Sequence, residues 1–280
     1  MNPLVAHPVQ LLKNLGPICG LGVDGPSRRR LASHMFQANL KRMHHGWSSM
    51  ANRVLGTEPV CVRLGLPGEM PFCYRPGTTD LLVLEQVFVD REYDVEPIAA
   101  ESIEYLVDLG SNIGVTAMFW AHRYPAARMV LVEPDPDNFR LLQRNTAAFR
   151  DRCLLINAAV TDRCGQASFF RSDREYGHSM LKTGDCVSEL QVETLTVSAV
   201  LKASGFPYVD FFKMDIEGGE SIVMPTISTW PTVPRYLIAE LHPPYGFEDF
   251  RKHCWLAGLR AVVPTPGGFQ CNLPLAVRAS

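Results

Sequence analysis

Tyr105-Leu-Val-Asp-Leu-Gly-Ser-Asn-Ile-Gly114 is the stretch on which the fold of this 280-residue chain turns. A short apolar run carries an acid, Asp108, near its end and then breaks at Gly110 and Gly114, which flank Ser111, Asn112 and Ile113. Val115, Met118, Phe119 and His122 follow at near-helical spacing. The pattern predicts a buried parallel strand, a tight turn and a helix start. Glycine suits such a turn because a ligand must come close to the backbone. The free N–H groups of a helix start offer donors to an electronegative ligand group.

Working outward, the same unit recurs. Arg128-Met-Val-Leu-Val-Glu133 is a second apolar strand ending in an acid, and Pro134, Asp135 and Pro136 start a helix through Phe139, Leu142 and Ala147. Cys153 to Val160 reads as a third strand, with Asn157 and Ala158 at its end. Val209 to Asp215 is a fourth, followed by Ile216-Glu-Gly-Gly-Glu220. Tyr236 to Glu240 is a fifth and runs into Leu241-His242-Pro243-Pro244. Strand and helix alternate from 105 to 242, which predicts an α/β fold with a parallel sheet and helices on both faces. Ligands of such sheets sit outside the carboxyl ends of the strands, so Asp108, Glu133, Asn157, Asp215 and Glu240 converge on one crevice. Glu133 falls roughly twenty residues past the glycine turn, where nucleoside-binding domains hold ribose hydroxyls with an acid. A carboxylate accepts two hydrogen bonds from a vicinal diol. Asn157 and Ala158 stand where adenine would lie.

The flanks are less regular. Residues 1–95 read as an accessory segment of helices and a β-hairpin, and 96–280 as the main domain. A helical pattern from Ser27 puts Leu31, Met35, Leu40 and Met43 on one side, which packs on the main domain or on a second copy, so a homodimer stays open. Arg28-Arg-Arg30 and Lys41-Arg42 read as a solvated face. Val60, Val62 and Leu64 alternate before a turn at 66–69, and Phe72 to Arg75 returns. Thr79 or Asp80 is expected to cap a helix from Leu81 to Val89. Residues 161–197 read as an antiparallel excursion whose polar link contains Tyr176-Gly-His178-Ser179. A helix near Phe247 to Ala257 and two strands about Gly267-Gly268 close the chain.

Composition bounds the partners. Apolar residues make up 46% and the net charge is −2, so there is material for a core and no bulk attraction to nucleic acid or anionic membrane. No apolar run reaches a membrane span, and the N-terminus lacks the basic start and apolar segment of a signal peptide. None of the eight cysteines forms a Cys-x-x-Cys pair. They are expected to be small buried hydrophobes in a reducing cytoplasm.

Val107-Asp-Leu-Gly-Ser-Asn-Ile-Gly114, Val132-Glu-Pro134, Asn157-Ala158 and Phe212-Lys-Met-Asp-Ile-Glu-Gly-Gly-Glu220 together resemble the FkbM-type methyltransferases. Arg75 to Asp80, with Val87-Phe88 and Glu92-Tyr93, is similar to that family's upstream signature. The resemblance covers residues 70 to 242. It implies a Rossmann-like, seven-stranded, mostly parallel sheet with the last strand antiparallel. It implies S-adenosylmethionine (AdoMet) as cofactor and methylation of a hydroxyl on a sugar, polyketide or other small molecule. N-methylation and a non-catalytic binding role are the alternatives. By the same resemblance Asp108, Gly110, Ser111, Asn112, Gly114, Glu133, Pro134, Asn157, Ala158 and Asp215 surround the cofactor.

An aliphatic hydroxyl loses its proton on methylation, so a base within reach helps. His242 and Asp215 are the expected catalytic residues. Arg75, Asp80, His178, Glu217 and Glu240 are assigned to the acceptor pocket. Asp215 and Glu217 also suit a hard cation, although no resident metal is expected. A nicotinamide enzyme wants Gly-x-Gly-x-x-Gly, and Asn112 occupies the second glycine position.

Overall fold

The computed structural model describes residues 15–43, 58–66, 69–94, 103–172, 186–262 and 273–278. The chain forms two compact units, 1–95 with 143–148, and 96–142 with 149–280.

The first unit holds α1 (Leu15–Gly20), α2 (Gly25–Met43), β1 (Val60–Arg63), β2 (Pro71–Tyr74) and α3 (Asp80–Phe88). Leu31, Met35 and Ala38 form the buried stripe of α2, at the spacing of one helix face. Arg28, Arg29 and Arg30 are exposed, as expected of a solvated face. β1 and β2 pair antiparallel with Cys61 opposite Cys73. These two cysteines are joined in a disulfide, which corrects the expectation that the thiols are free. Cys19, Cys153, Cys164 and Cys254 are free thiols among the described residues, and only Cys153 and Cys254 of these are buried. The expected cap position of α3 is kept: Thr79 stands at the N-cap, without a capping side-chain bond. Asp80 instead turns its carboxylate back on Arg75, accepting from its backbone N–H (2.8 Å) and from Nε and Nη2.

The second unit is built on a seven-stranded sheet in the order β11-β12-β10-β9-β3-β4-β5. Its strands are β3 (Tyr105–Leu109), β4 (Arg128–Val132), β5 (Cys153–Ile156), β9 (Phe211–Met214), β10 (Tyr236–Ala239), β11 (Leu259–Val262) and β12 (Leu275–Arg278). β4, β3, β9 and β10 run parallel with β5, and β12 is antiparallel to both its neighbours. This is a Rossmann-like α/β sheet. The pleat shows why both faces are covered. Phe211 meets Trp120 of α4 (Val115–Arg123) at 5.2 Å between ring centroids. Phe212, pointing the other way, stacks on Trp230 at 5.0 Å. Successive strand residues face opposite sides, so helical layers lie on both. Val107, Leu109, Phe212, Met214, Leu237 and Ala239 lie within one buried cluster with Val200, Val223 and Ile227.

The expected third strand is two pieces. β5 stops at Ile156, and β6 (Ala159–Val160) joins a separate sheet, β6-β8-β7, with β7 (Gly165–Ser172) and β8 (Cys186–Leu195). The break lies at Asn157, whose side chain bonds backbone carbonyls of the neighbouring loop rather than continuing the ladder. The antiparallel excursion is therefore a three-stranded sheet with its own small core of Ala159, Phe169 and Val192. Gly267 and Gly268 lie outside the described residues. Among the described residues no helix is long and apolar enough to cross a membrane.

Candidate functional site

The turn after β3 is shaped by its neighbours. Gly110 has φ +80° and Asn112 +49°, conformations in which a β-carbon is strained. The N–H groups of Gly110 and Ser111 both donate to the Val132 carbonyl, at 3.0 and 2.9 Å. A β-carbon on Gly110 would lie 1.7 Å from the backbone oxygen of Asp215. The glycine is thus required by the end of the adjacent strand, a nearer reason than the ligand approach expected from sequence. Ser111 donates its hydroxyl to the Asp108 carbonyl at 3.0 Å. Gly114, at φ +88°, opens α4.

Glu133 braces this turn from β4. One carboxylate oxygen accepts the Asn112 N–H at 2.8 Å, and the other accepts the Asp135 N–H at 2.9 Å. Burial pushes its carboxyl up to about 7, against the pull of those backbone donors. Asn157 donates to the carbonyls of Glu133 and Pro134 at 2.7 and 3.0 Å. Ala158 beside it is fully buried. Asn112 Oδ1 is buried and has no hydrogen-bond partner among the described residues. A buried carbonyl without a donor is costly, and in a turn of this kind it marks a place for one.

Across the crevice, β9 ends in Asp215 and β10 in Glu240. The Asp215 N–H donates to the Leu109 carbonyl and the Glu240 N–H to that of Met214, so β3, β9 and β10 end side by side. Lys213 is buried one residue pair below. Its ammonium donates to the Gly110 carbonyl at 2.9 Å and lies 3.1 Å from Asp108 and 3.6 Å from Asp215. Burial opposes its charge, but the two carboxylates outweigh burial and hold the lysine protonated.

His242 sits among carboxylates. Nδ1 is 3.3 Å from Glu220, and Nε2 is 3.3 Å from Glu217 and 3.8 Å from Glu240. Burial works against its cation, but the Glu220 hydrogen bond and the charges of Glu217, Glu220 and Asp215 prevail and push it up to about 9. Glu220 is fully buried and also accepts the N–H groups of Ile216 and Gly218, so it shapes the loop that carries Glu217. Donor atoms of Asp215, Glu240 and His242 lie within 4.8 Å of one another. Two oxygens and an imidazole nitrogen are a donor set that suits a divalent cation.

The structure brings Asp108, Gly110, Asn112, Glu133, Asp215, Glu217, Glu240 and His242 to the carboxyl ends of the strands, with Ser111, Gly114, Pro134, Asn157 and Ala158 in the turns there. Arg75 and Asp80 pair with each other in the first unit. His178 lies outside the described residues. Sequence reasoning missed Lys213 and Glu220. A lysine inside an apolar strand, and a glutamate opening the helix Glu220–Val223, were the signals available.

Residues 108–259 match the methyltransferase FkbM domain. The chain belongs to that family. Methyltransferase 1 of Beauveria bassiana is 25% identical over 161 residues, which cover 50% of this chain and 64% of that protein. The 31-O-demethyl-FK506 methyltransferase FkbM of Streptomyces tacrolimicus is 23% identical over 207 residues, 62% of this chain and 75% of its own length. Methyltransferase sdnD of Sordaria araneosa is 24% identical over 199 residues, with 59% and 75% covered. The FkbM domain match takes in Asp108, Glu133, Lys213, Asp215, Glu240 and His242.

The Gly110 contact gives an expectation that differs from simple loss of ligand binding. Gly110→Ala should force the ends of β3 and β9 apart and strain a positive φ, which alone costs about 1–2 kcal/mol. The urea midpoint should fall before any ligand is added. An unchanged midpoint would show that the two strand ends are not in contact.

Proposed function

We propose that this FkbM-family chain is an AdoMet-dependent O-methyltransferase acting on a small-molecule hydroxyl. The observation that carries the reading is the glycine turn, braced by Glu133 and holding the unpartnered buried oxygen of Asn112. That oxygen suits a cationic or amide-like donor such as the ammonium of a methionyl group. Glu133 Oε1 already accepts from Asp135 and Asn138, whereas Oε2 keeps acceptor capacity beyond its Asn112 bond and is the atom offered to a ribose hydroxyl. Asn157 and Ala158 close the far end against a planar base. Bound AdoMet would supply an electrophilic methyl carbon on a sulfonium.

The chain's own part is to hold the acceptor and take its proton. Asp215 and Glu240 present carboxylates that accept from a substrate hydroxyl and orient it. Nδ1 of His242 faces the buried Glu220 and Nε2 the part-exposed Glu217; in the neutral ring with its proton on Nδ1, Nε2 would gain the hydroxyl proton as the methyl carbon passes from sulfur to oxygen. Oxygen rather than nitrogen as the acceptor is supported by the relative whose name specifies a 31-O position. The net charge of −2 favours a small molecule over nucleic acid. Mass analysis of products from a panel of hydroxyl and amine acceptors with labelled AdoMet separates the two chemistries.

A cytoplasmic site of action belongs to this reading, and the Cys61–Cys73 bridge is the observation against it, because disulfides persist in oxidising compartments. Alkylation in acid-quenched cells tests the two against each other: labelling of both thiols would show the bridge open and support the cytoplasm. Protection of the pair would place the protein elsewhere.

Calorimetry tests the cofactor. AdoMet should bind and NAD should not, and Glu133→Ala should weaken AdoMet by about 1–3 kcal/mol, the cost of removing a charged hydrogen-bond acceptor. Binding of NAD in place of AdoMet would end the methyltransferase reading.

The base has a pH signature. A histidine held up to about 9 is mostly protonated at neutral pH, so kcat should rise with pH and level off above about 9. His242→Ala should remove that limb and cost about 100- to 10,000-fold in kcat, the usual contribution of a positioned base. A flat profile in the wild type would take the proton transfer away from His242.

A further inference from the structure

Lys213 stands in the centre of a parallel sheet, 3% exposed, at a position where an apolar side chain would pack without an ionic partner. Stability alone does not favour it there. Desolvating a charge costs several kcal/mol per ion, and apolar replacement of buried ion pairs is often neutral or stabilising. Its contacts show what the charge is for. Three groups from three places meet on one ammonium: the Gly110 carbonyl of the glycine turn, the Asp108 carboxylate of β3 and the Asp215 carboxylate at the end of β9. Asp108 lies opposite Lys213 in the β3–β9 register, so a backbone pairing fixes the height at which the ammonium acts.

We propose that Lys213 is a positioning residue that sets the direction of the Gly110 carbonyl and the Asp215 carboxylate together, and so couples the cofactor turn to the reacting end of the crevice. This rests on the AdoMet reading above. Two acidic side chains face one ammonium here, so the cluster carries no excess of positive charge. That suits a ligand carrying a sulfonium. A neutral residue at 213 would leave the buried Asp108 without a counter-charge and Asp215 without its anchor. The turn would keep its bonds to Val132 and Glu133 but lose the one from β9.

The experiment separates positioning from charge balance, using the whole chain, the thermal midpoint and calorimetric AdoMet affinity. Lys213→Met alone should lower both, because Asp108 is stranded. Asp108→Asn removes that burden while leaving Lys213 on Gly110 and Asp215. Lys213→Met combined with Asp108→Asn should match the thermal midpoint of Asp108→Asn, yet bind AdoMet at least about tenfold more weakly, a modest loss for a misplaced binding group. Equal affinity in those two variants would reduce Lys213 to a counter-ion and overturn the proposal. Should the double variant fail to fold, Lys213→Arg decides. It keeps the charge but presents a planar fork in place of a compact ammonium, so affinity should fall at a wild-type thermal midpoint. Wild-type affinity in Lys213→Arg would overturn the proposal. If the wild type itself does not bind AdoMet, the functional reading fails first, and the proposal falls with it.

Discussion

The constraint beneath this architecture is the contact between the backbones of Gly110 and Asp215. A parallel sheet keeps its strands at a fixed spacing. Here the chain must leave the end of β3 in a positive-φ turn while the neighbouring strand end passes close by. Only a residue without a β-carbon permits both. Once the two strand ends lie together, the bond from Lys213 to the Gly110 carbonyl, the carbonyl of Val132 and the carboxylate of Glu133 define one geometry for the turn. The acidic side chains that follow β9 and β10 are then presented on the same edge.

The electrostatics of that edge differ from its wall. Lys213 and Asp108 are sealed from water, so the charge of the lysine is fixed by the fold. His242 is a quarter exposed and keeps carboxylates on both sides of its ring. A buried pair shapes, and a half-buried imidazole exchanges its proton. The sheet therefore carries a rigid ionic layer below a titratable one.

Much of this was legible in the sequence where the signal is local. Apolar runs ending in Asp108, Glu133, Asp215 and Glu240 announced the parallel strands, and glycine spacing announced the turn. What was not legible depends on register between distant segments. Lys213 finds Asp108 only because β3 and β9 pair in a particular alignment, and no spacing within either segment encodes that. Cys61 and Cys73 were expected to be free because no Cys-x-x-Cys pair is present and the compartment was taken as reducing, although the expected hairpin sets them opposite one another. The third strand was drawn too long because Asn157 reads as a strand end, whereas its amide leaves the ladder to bind the next loop. Asp80 was expected to cap a helix, but the guanidinium of Arg75 is the stronger partner.

Glu220 leaves a mark on how this region tolerates change. One buried carboxylate serves three clients: two backbone N–H groups of its own loop and the imidazole of His242. Loop shape and ring direction are therefore a single variable. Residues that share a partner do not vary independently. Sequence drift at Glu217, Glu220 and His242 is consequently epistatic. An altered loop turns the ring with it, so the effects of substitutions at these three positions should not add.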